Sequence, residues 1–350
     1  MTKKIKVLVV DDSALIRSLL SEIVRAESDF ILVGAAPDAY IAKDMVNTYS
    51  PDVITLDVEM PKVDGLTFLD RLMKARPTPV LMVSSLTEQG ADVTLKALEL
   101  GAVDFFPKPK LDIAKGIEDY RCEIVAKIRS VASAKLQQRP LKPSPSPYTF
   151  KFKTTEKIIA IGASTGGTEA LKSLLSQMPV DSPAIVFTQH MPPGFTKTFA
   201  ERLNTHCAIS VKEAQDGERL LPGCAYLAPG DLHLLVVRSG ADYRIKLIDG
   251  ERVSGHKPSV DVMFQSVAQA AGQNALGVIL TGMGKDGALG MLDIAHAGGI
   301  TMAQDEASSV IFGMPKAAIE AGGVQMVLGL QDMPAQIVKT MNQLGVEYRV

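Results

Sequence analysis

Residues 158–175 read IIAIGASTGGTEALKSLL. An apolar run enters a glycine-rich turn with Ser164 at its centre, and a helical pattern follows. Strand, turn and helix in that order, repeated along a chain, build a parallel sheet covered by helices. The second half repeats it with KIIAIG (157–162), AIVFTQ (184–189), ALGVILTG (275–282) and GITMAQ (299–304). Residues 225–250, AYLAPGDLHLLVVRSGADYRIKLIDG, break the pattern and read as antiparallel strands turning near Ser239–Asp242. The first half alternates in the same way, with IKVLVV (5–10), FILVGAA (30–36), VITLD (53–57), PVLMVSS (79–85) and AVDFFP (102–107) separated by helical stretches.

Between the two series lies QQRPLKPSPSPYTFKFKTT (137–155). Pro140, Pro143, Pro145 and Pro147 exclude a helix interior or a central strand. The expected organisation is a first domain over 1–128, a Pro-, Ser- and Lys-rich linker over 129–154 and a second domain over 155–350. The linker reads as a solvated spacer, with a docking strip for an acidic partner as the alternative. The chain has 350 residues and a net charge of −2, from 37 basic and 39 acidic side chains. That balance shows no electrostatic footprint for nucleic acid. Its 3 cysteines form no CxxC and no disulfide framework, as in a reducing compartment. MTKKIKVLVVDDS does not read as a signal peptide, and no apolar run reaches the ~20 residues of a membrane helix. The expectation is a soluble cytoplasmic protein without membrane insertion.

Ligands of open parallel sheets gather beyond the carboxyl ends of the strands. In the first half Asp11 and Asp12 follow VLVV, Asp57 follows VITL, Ser84 follows VLMV, and Lys108 follows the last strand. Carboxylates crowded on one rim repel each other, and a divalent cation such as Mg²⁺ relieves the conflict. One carboxylate could then attack a phosphoryl group whose oxygens Lys108 and Ser84 hold. Singly, each residue is an ordinary helix cap or surface charge. Together, VVDDS, TLDVEMPKVDG, VSS and FPKP resemble the signature set of two-component response-regulator receiver domains. The resemblance implies a doubly wound fold of five strands with Asp57 as phosphoacceptor, loaded by a histidine kinase. Asp11, Asp12 and Asp57, with the backbone carbonyl of Glu59, would surround Mg²⁺. Ser84 and Lys108 would read the phosphate, Phe105 would swing inward on phosphorylation, and Pro61 and Gly65 would shape the loop beside Asp57.

In the second half the question is what Ser164 does. GASTGG lacks the lysine of a P-loop, and its glycines are spaced off GxGxxG. A plain turn capped by Ser164, Thr165 or Thr168 is the structural alternative. However, Gly162, Ser164 and Gly166 spell G-x-S-x-G, which exposes a serine hydroxyl at a sheet rim beside a helix N-terminus. A serine needs a base. His190 follows a strand end, whereas His206, His233, His256 and His296 lie in polar, hairpin or helical settings. The base needs an acid. Asp286 lies in the glycine-rich loop after another strand; its rival Asp261 sits in PSVDVMF, which reads as the first turn of a capped helix. Gly282, Gly284 and Gly287 permit close approach, and one of their N–H groups, or that of Met283, is the expected oxyanion donor, worth on the order of 3 kcal/mol.

IGASTGGTEAL, TQHMPPGFT, FAERLN, PSVDVMF, LTGMGKDGA and FGMPKAA resemble the catalytic domain of the CheB family of chemotaxis protein-glutamate methylesterases. The resemblance implies a mostly parallel α/β domain with an antiparallel hairpin. It implies Ser164, His190 and Asp286 as a triad, Thr165, Met283 and Gly284 on the oxyanion and substrate side, and no cofactor in that domain. The expected reaction is hydrolysis of γ-glutamyl methyl esters, and deamidation of glutamines, on methyl-accepting chemoreceptors. A receiver that covers a shallow cleft until Asp57 is phosphorylated would control it. Two other classes stand beside this one. A DNA-binding output domain lacks its basic helix and helix-turn-helix here. A non-catalytic receptor-binding regulator would show no labelling of Ser164 by a fluorophosphonate.

Overall fold

The computed structural model describes residues 3–85, 87–108, 117–136, 149–150 and 156–344, and the chain divides into two compact units, 1–136 and 137–350. The linker expectation for 137–148 and 151–154 lies outside the described residues.

The first unit alternates strictly: β1 (Ile5–Val10), α1 (Ala14–Ala26), β2 (Phe30–Ala36), α2 (Ala39–Tyr49), β3 (Val53–Asp57), α3 (Gly65–Ala75), β4 (Val80–Ser84), α4 (Glu88–Glu99), β5 (Asp104–Pro107) and α5 (Ile117–Ala132). Ser13, Asp38, Asp64 and Thr87 each accept a backbone N–H from the first turn of the helix they precede, as good N-caps do. The strands pair in parallel in the order β2-β1-β3-β4-β5. β3 and β4 are buried throughout, which is why their sequences run apolar without alternating. The order reverses between β1 and β3, opening a crevice where the predicted carboxylates lie. α5 continues to Ala132, into the stretch read as linker; Arg129 holds it by bonds of 2.8 Å to Asp29 and 2.7 Å to Glu27.

The second unit contains β6 (Ile158–Ala163), α6 (Gly167–Leu175), β7 (Ala184–Gln189), α7 (Phe195–Asn204), β8 (Ser210–Glu213), β9 (Cys224–Leu227), β10 (His233–Ser239) and β11 (Asp242–Ile248). It continues with α8 (Val260–Ala271), β12 (Ala275–Ile279), α9 (Ala288–His296), β13 (Ile300–Gln304), α10 (Met314–Glu320), β14 (Met326–Leu328) and α11 (Met333–Leu344). Seven strands pair in parallel in the order β14-β13-β12-β6-β7-β9-β8. β10 and β11 form the expected antiparallel hairpin, with Ser239 opposite Asp242. The residues just before it differ from expectation: β9 is a parallel member of the large sheet, because it pairs with β7 rather than with the hairpin. β6 and β12 flank the reversal of strand order. Helix α8 packs over β6 so tightly that a Cβ on Gly162 would lie 2.2 Å from Val260 Cγ1. The hairpin is tied to the same helix through Val236 N–H, which donates to Ser266 Oγ at 2.9 Å.

Candidate active site

Ser164 follows β6 directly, His190 follows β7, and Asp286 lies in the loop after β12. These strands are neighbours in the order β12-β6-β7, so residues far apart in sequence meet on one edge. His190 Nδ1 lies 3.1 Å from Ser164 Oγ, and His190 Nε2 lies 2.8 Å from Asp286 Oδ2. A carboxylate can only accept, so Nε2 carries the ring proton and Nδ1 presents its lone pair to the serine. The imidazole thus enters with the opposite edge to the usual triad template, where Nε2 faces the serine.

The peptide that carries Ser164 is gripped from both neighbouring strands. Ser164 N–H donates to Thr281 O at 3.0 Å, Thr281 Oγ1 donates to Thr165 O at 3.0 Å, and Gln189 Nε2 donates to Ser164 O at 3.0 Å. Neither Ser164, Thr165 nor Thr168 caps the following helix. The N-cap of α6 is Gly166, in the left-handed region at φ 74°, and no side chain caps the helix. The Ser164 hydroxyl is therefore left to His190.

Asp286 is 1% exposed, and its environment is built for a charge. Ser259 Oγ donates to Oδ1 at 2.8 Å, Asp261 N–H to Oδ1 at 3.0 Å, and Val260 N–H to Oδ2 at 2.7 Å. Ser259 is the N-cap of α8, so the carboxylate sits on a helix N-terminus, where negative charge is favoured. Burial works to raise its pKa; the bond and charge of His190 and the N–H groups of Asp261 and Val260 prevail and bring it to about 2. Asp261, the rival acid, instead accepts Gly290 N–H at 2.8 Å in the first turn of α9. Burial, reinforced by the Asp286 charge, pushes Asp261 up to about 6. Asp261 holds the loop of Asp286 and does not reach the histidine's hydrogen-bonding edge.

One expected oxyanion donor is otherwise engaged: Gly282 N–H bonds Ile311 O at 3.0 Å. Gly282 has a steric role instead: a Cβ there would lie 2.8 Å from Ser164 Cβ and 2.3 Å from Met314 Sδ. Met283 is half-buried and Gly284 exposed on the same loop.

In the first unit Asp11, Asp12 and Asp57 offer oxygens that all lie within 4.8 Å of one another. Lys108 Nζ lies 2.8 Å from Asp57 Oδ2 and 3.5 Å from Asp11 Oδ2. Burial raises the Asp57 carboxyl to about 6, against the bond from Lys108. Burial likewise raises Asp11. Gly65 is required here, since a Cβ would lie 2.1 Å from Asp57 O. Glu59 N–H donates to Asp57 Oδ1 at 3.2 Å, and the Glu59 side chain is exposed. Ser84 Oγ is turned toward α4, where Thr94 Oγ1 donates to it at 2.7 Å. Phe105 is buried, with Lys127 Nζ 5.9 Å from its ring centroid.

Residues 159–337 match the family model of the CheB methylesterase, and residues 7–117 that of the response regulator receiver domain. The chain belongs to the CheB methylesterase family. It is 58% identical to the protein-glutamate methylesterase/protein-glutamine glutaminase 2 of Pseudomonas aeruginosa, over 97% of this chain and 98% of that one. It is 56% identical to the protein-glutamate methylesterase/protein-glutamine glutaminase of Salmonella typhimurium, over 96% of each chain. Among solved structures, the CheB methylesterase catalytic domain of Thermotoga maritima is similar with a TM-score of 0.52 and 39% identity, covering 53% of this chain and 98% of that chain.

Several side chains around the CheB-type site escaped the sequence reading. Gln189 and Thr281 look like ordinary strand-end residues. Ser259 is legible as a helix cap in PSVD, but nothing local shows that it also serves Asp286. His256 was set aside among the other histidines, yet its ring stacks on His190 with centroids 3.6 Å apart and planes 12° from parallel.

Proposed function

We propose that this chain is a phosphorylation-controlled protein-glutamate methylesterase and protein-glutamine glutaminase, with a receiver over 1–128 and a catalytic domain over 155–350. The supporting observation is the continuous chain Ser164 Oγ, His190, Asp286, with spacings of 3.1 and 2.8 Å. Ser164 Oγ attacks the γ-carbonyl of a glutamyl methyl ester while its proton passes to His190 Nδ1. Asp286 fixes the tautomer and balances the imidazolium. The tetrahedral oxyanion is held by the N–H groups of Met283 and Gly284, with Thr165 lining the substrate side. His190 returns the proton to the leaving methoxide, releasing methanol. Water, deprotonated by the same nitrogen, then cleaves the acyl-enzyme to glutamate. A glutamine side chain enters the same sequence and loses ammonia.

The substrates are methyl-accepting chemoreceptors, and the phosphodonor is a chemotaxis histidine kinase acting in the cytoplasm. No helix among the described residues is long and apolar enough to cross a membrane. The acidic rim fits a hard divalent cation, because its donors are carboxylate oxygens and two of the three residues are buried. Asp11, Asp12, Asp57 and the Glu59 carbonyl would hold Mg²⁺, which neutralises the rim so that a phosphoryl group can approach Asp57. Lys108 orients the incoming oxygens, and Ser84 must leave Thr94 to reach the phosphate. The unphosphorylated receiver restrains the catalytic domain, so residues 155–350 alone release methanol faster than the intact unphosphorylated chain.

The deciding experiment is methanol release from methylated receptor membranes, with and without a small-molecule phosphodonor. Wild type responds to the phosphodonor, Asp57→Ala keeps only basal release, and Ser164→Ala releases none. Retained release by Ser164→Ala would overturn the reading.

A further inference from the structure

We infer that His256 is a positioning residue for the catalytic base: its ring is the plate against which His190 is held in the plane joining Ser164 to Asp286. This rests on the triad proposed above. Both ring nitrogens of His190 are engaged at its edges, with Ser164 and Asp286. Edge contacts leave an imidazole able to tilt about the axis between them. A second ring 3.6 Å away and 12° from parallel covers one face and opposes that tilt.

The ring at 256 is delivered by a stiff device. Val253 N–H donates to His256 O at 3.0 Å, and His256 N–H donates to Val253 O at 2.9 Å. Between them Ser254 and Gly255 both adopt left-handed backbone, at φ 54° and 83°. That is the signature of a tight two-residue turn with both central residues at positive φ. At the base of the arm Lys257 Nζ bonds Asp249 Oδ1 at 2.8 Å. Three residues beyond His256 the chain reaches Ser259, and Ser259, Val260 and Asp261 all donate to Asp286. One short segment therefore braces the base through its face and the acid through its oxygens.

The arrangement favours turnover over binding. Before proton transfer, two stacked neutral rings attract modestly. After it, His190 is a cation over a π face, a stronger contact. An interaction that grows toward the transition state raises kcat rather than lowering KM.

The test uses the full chain at pH 8, above the ordinary histidine range, with methylated receptor membranes. His256→Ala lowers kcat about three- to tenfold and leaves KM unchanged. His256→Phe, which keeps a flat ring, restores most of the loss. In spectra of ¹³C-histidine-labelled protein, the His190 ring protons move downfield in His256→Ala, as ring-current shielding is lost, and stay upfield in His256→Phe. Wild-type kcat in His256→Ala, a loss carried by KM alone, or His256→Phe no better than His256→Ala would each overturn the inference. So would an unmoved His190 signal. If His256→Ala does not fold, a folded His256→Phe with activity lost tenfold or more overturns it. Activity in Ser164→Ala would instead remove the triad beneath it, a distinct failure.

Discussion

Asparagine at position 286 separates the two things the aspartate does. The new NH₂ can take the place of either oxygen. At Oδ2 it would confront the donors Val260 N–H and His190, now 2.7 and 2.8 Å away. His190 could answer only by moving its proton to Nδ1, which would abolish the base. At Oδ1 it meets Asp261 N–H, while the Ser259 hydroxyl can turn and accept. The second orientation sacrifices one buried hydrogen bond, about 1–3 kcal/mol of stability, and keeps the working tautomer. What it loses is charge. With charge centres about 4 Å apart and an effective dielectric near 20, the carboxylate is worth about 4 kcal/mol to the imidazolium. That corresponds to about a thousandfold in kcat. Single-turnover methanol release on Asp286→Asn measures it, and a kcat within about tenfold of wild type would refute the electrostatic reasoning. Stability carries a second signature. The folded Asp286 pKa of about 2 lies below its ordinary 3.8, so the carboxylate stabilises the fold fully above pH 3.8 and ceases to as pH falls through 2. The stability deficit of Asp286→Asn, followed by urea unfolding at several pH values, shrinks across that window.

Other outcomes follow from the same geometry. Gly166→Ala forces a side chain into left-handed backbone, with its Cβ 2.6 Å from Val310 Cβ; it lowers stability by about 1–3 kcal/mol, and fluorophosphonate labelling of Ser164 slows with it. Lys108→Met leaves Asp57 and Asp11 buried without the lysine's charge, a loss of about 3–5 kcal/mol for the receiver. Because the Asp57 pKa is raised to about 6, its ionised form is the costly one. Thermal unfolding of the variant therefore shows a larger deficit at pH 8 than at pH 5. Chelation of divalent cations abolishes incorporation of hydroxylamine-labile acyl phosphate at Asp57 from a small-molecule donor and leaves basal methanol release in place.

The long apolar runs made both sheets legible, because a strand buried on both faces must be apolar at nearly every position. The short flanking strands were not legible. β8, read as SVKE, is half-polar, and β14 is only MVL; each is a strand because a neighbour supplies the other half of its hydrogen bonds. β9 looked like part of the hairpin because local pattern does not reveal which strand will be its partner. Ser164, His190 and Asp286 were recoverable since each follows a run whose role as a strand was plain, and strand ends share a rim. The stack of His256 on His190 was not, because it depends on a turn reaching across from another part of the chain. Ser84 was recognisable by position, but the rotamer that points it at Thr94 is a matter of packing.

The order of pairing has consequences on the ribosome. β6 and β7 are successive in the chain and adjacent in the sheet, so Ser164 and His190 can meet early in synthesis. The other edge of β6 waits for β12, whose Ala275 pairs with Ile158. Until that distant segment emerges, a central strand keeps one side unzipped, the kind of open border on which nascent chains aggregate. Asp286 arrives with the strand that closes this border, so on the proposed triad a prematurely terminated polypeptide would carry an alcohol and an imidazole in register yet remain without esterase power.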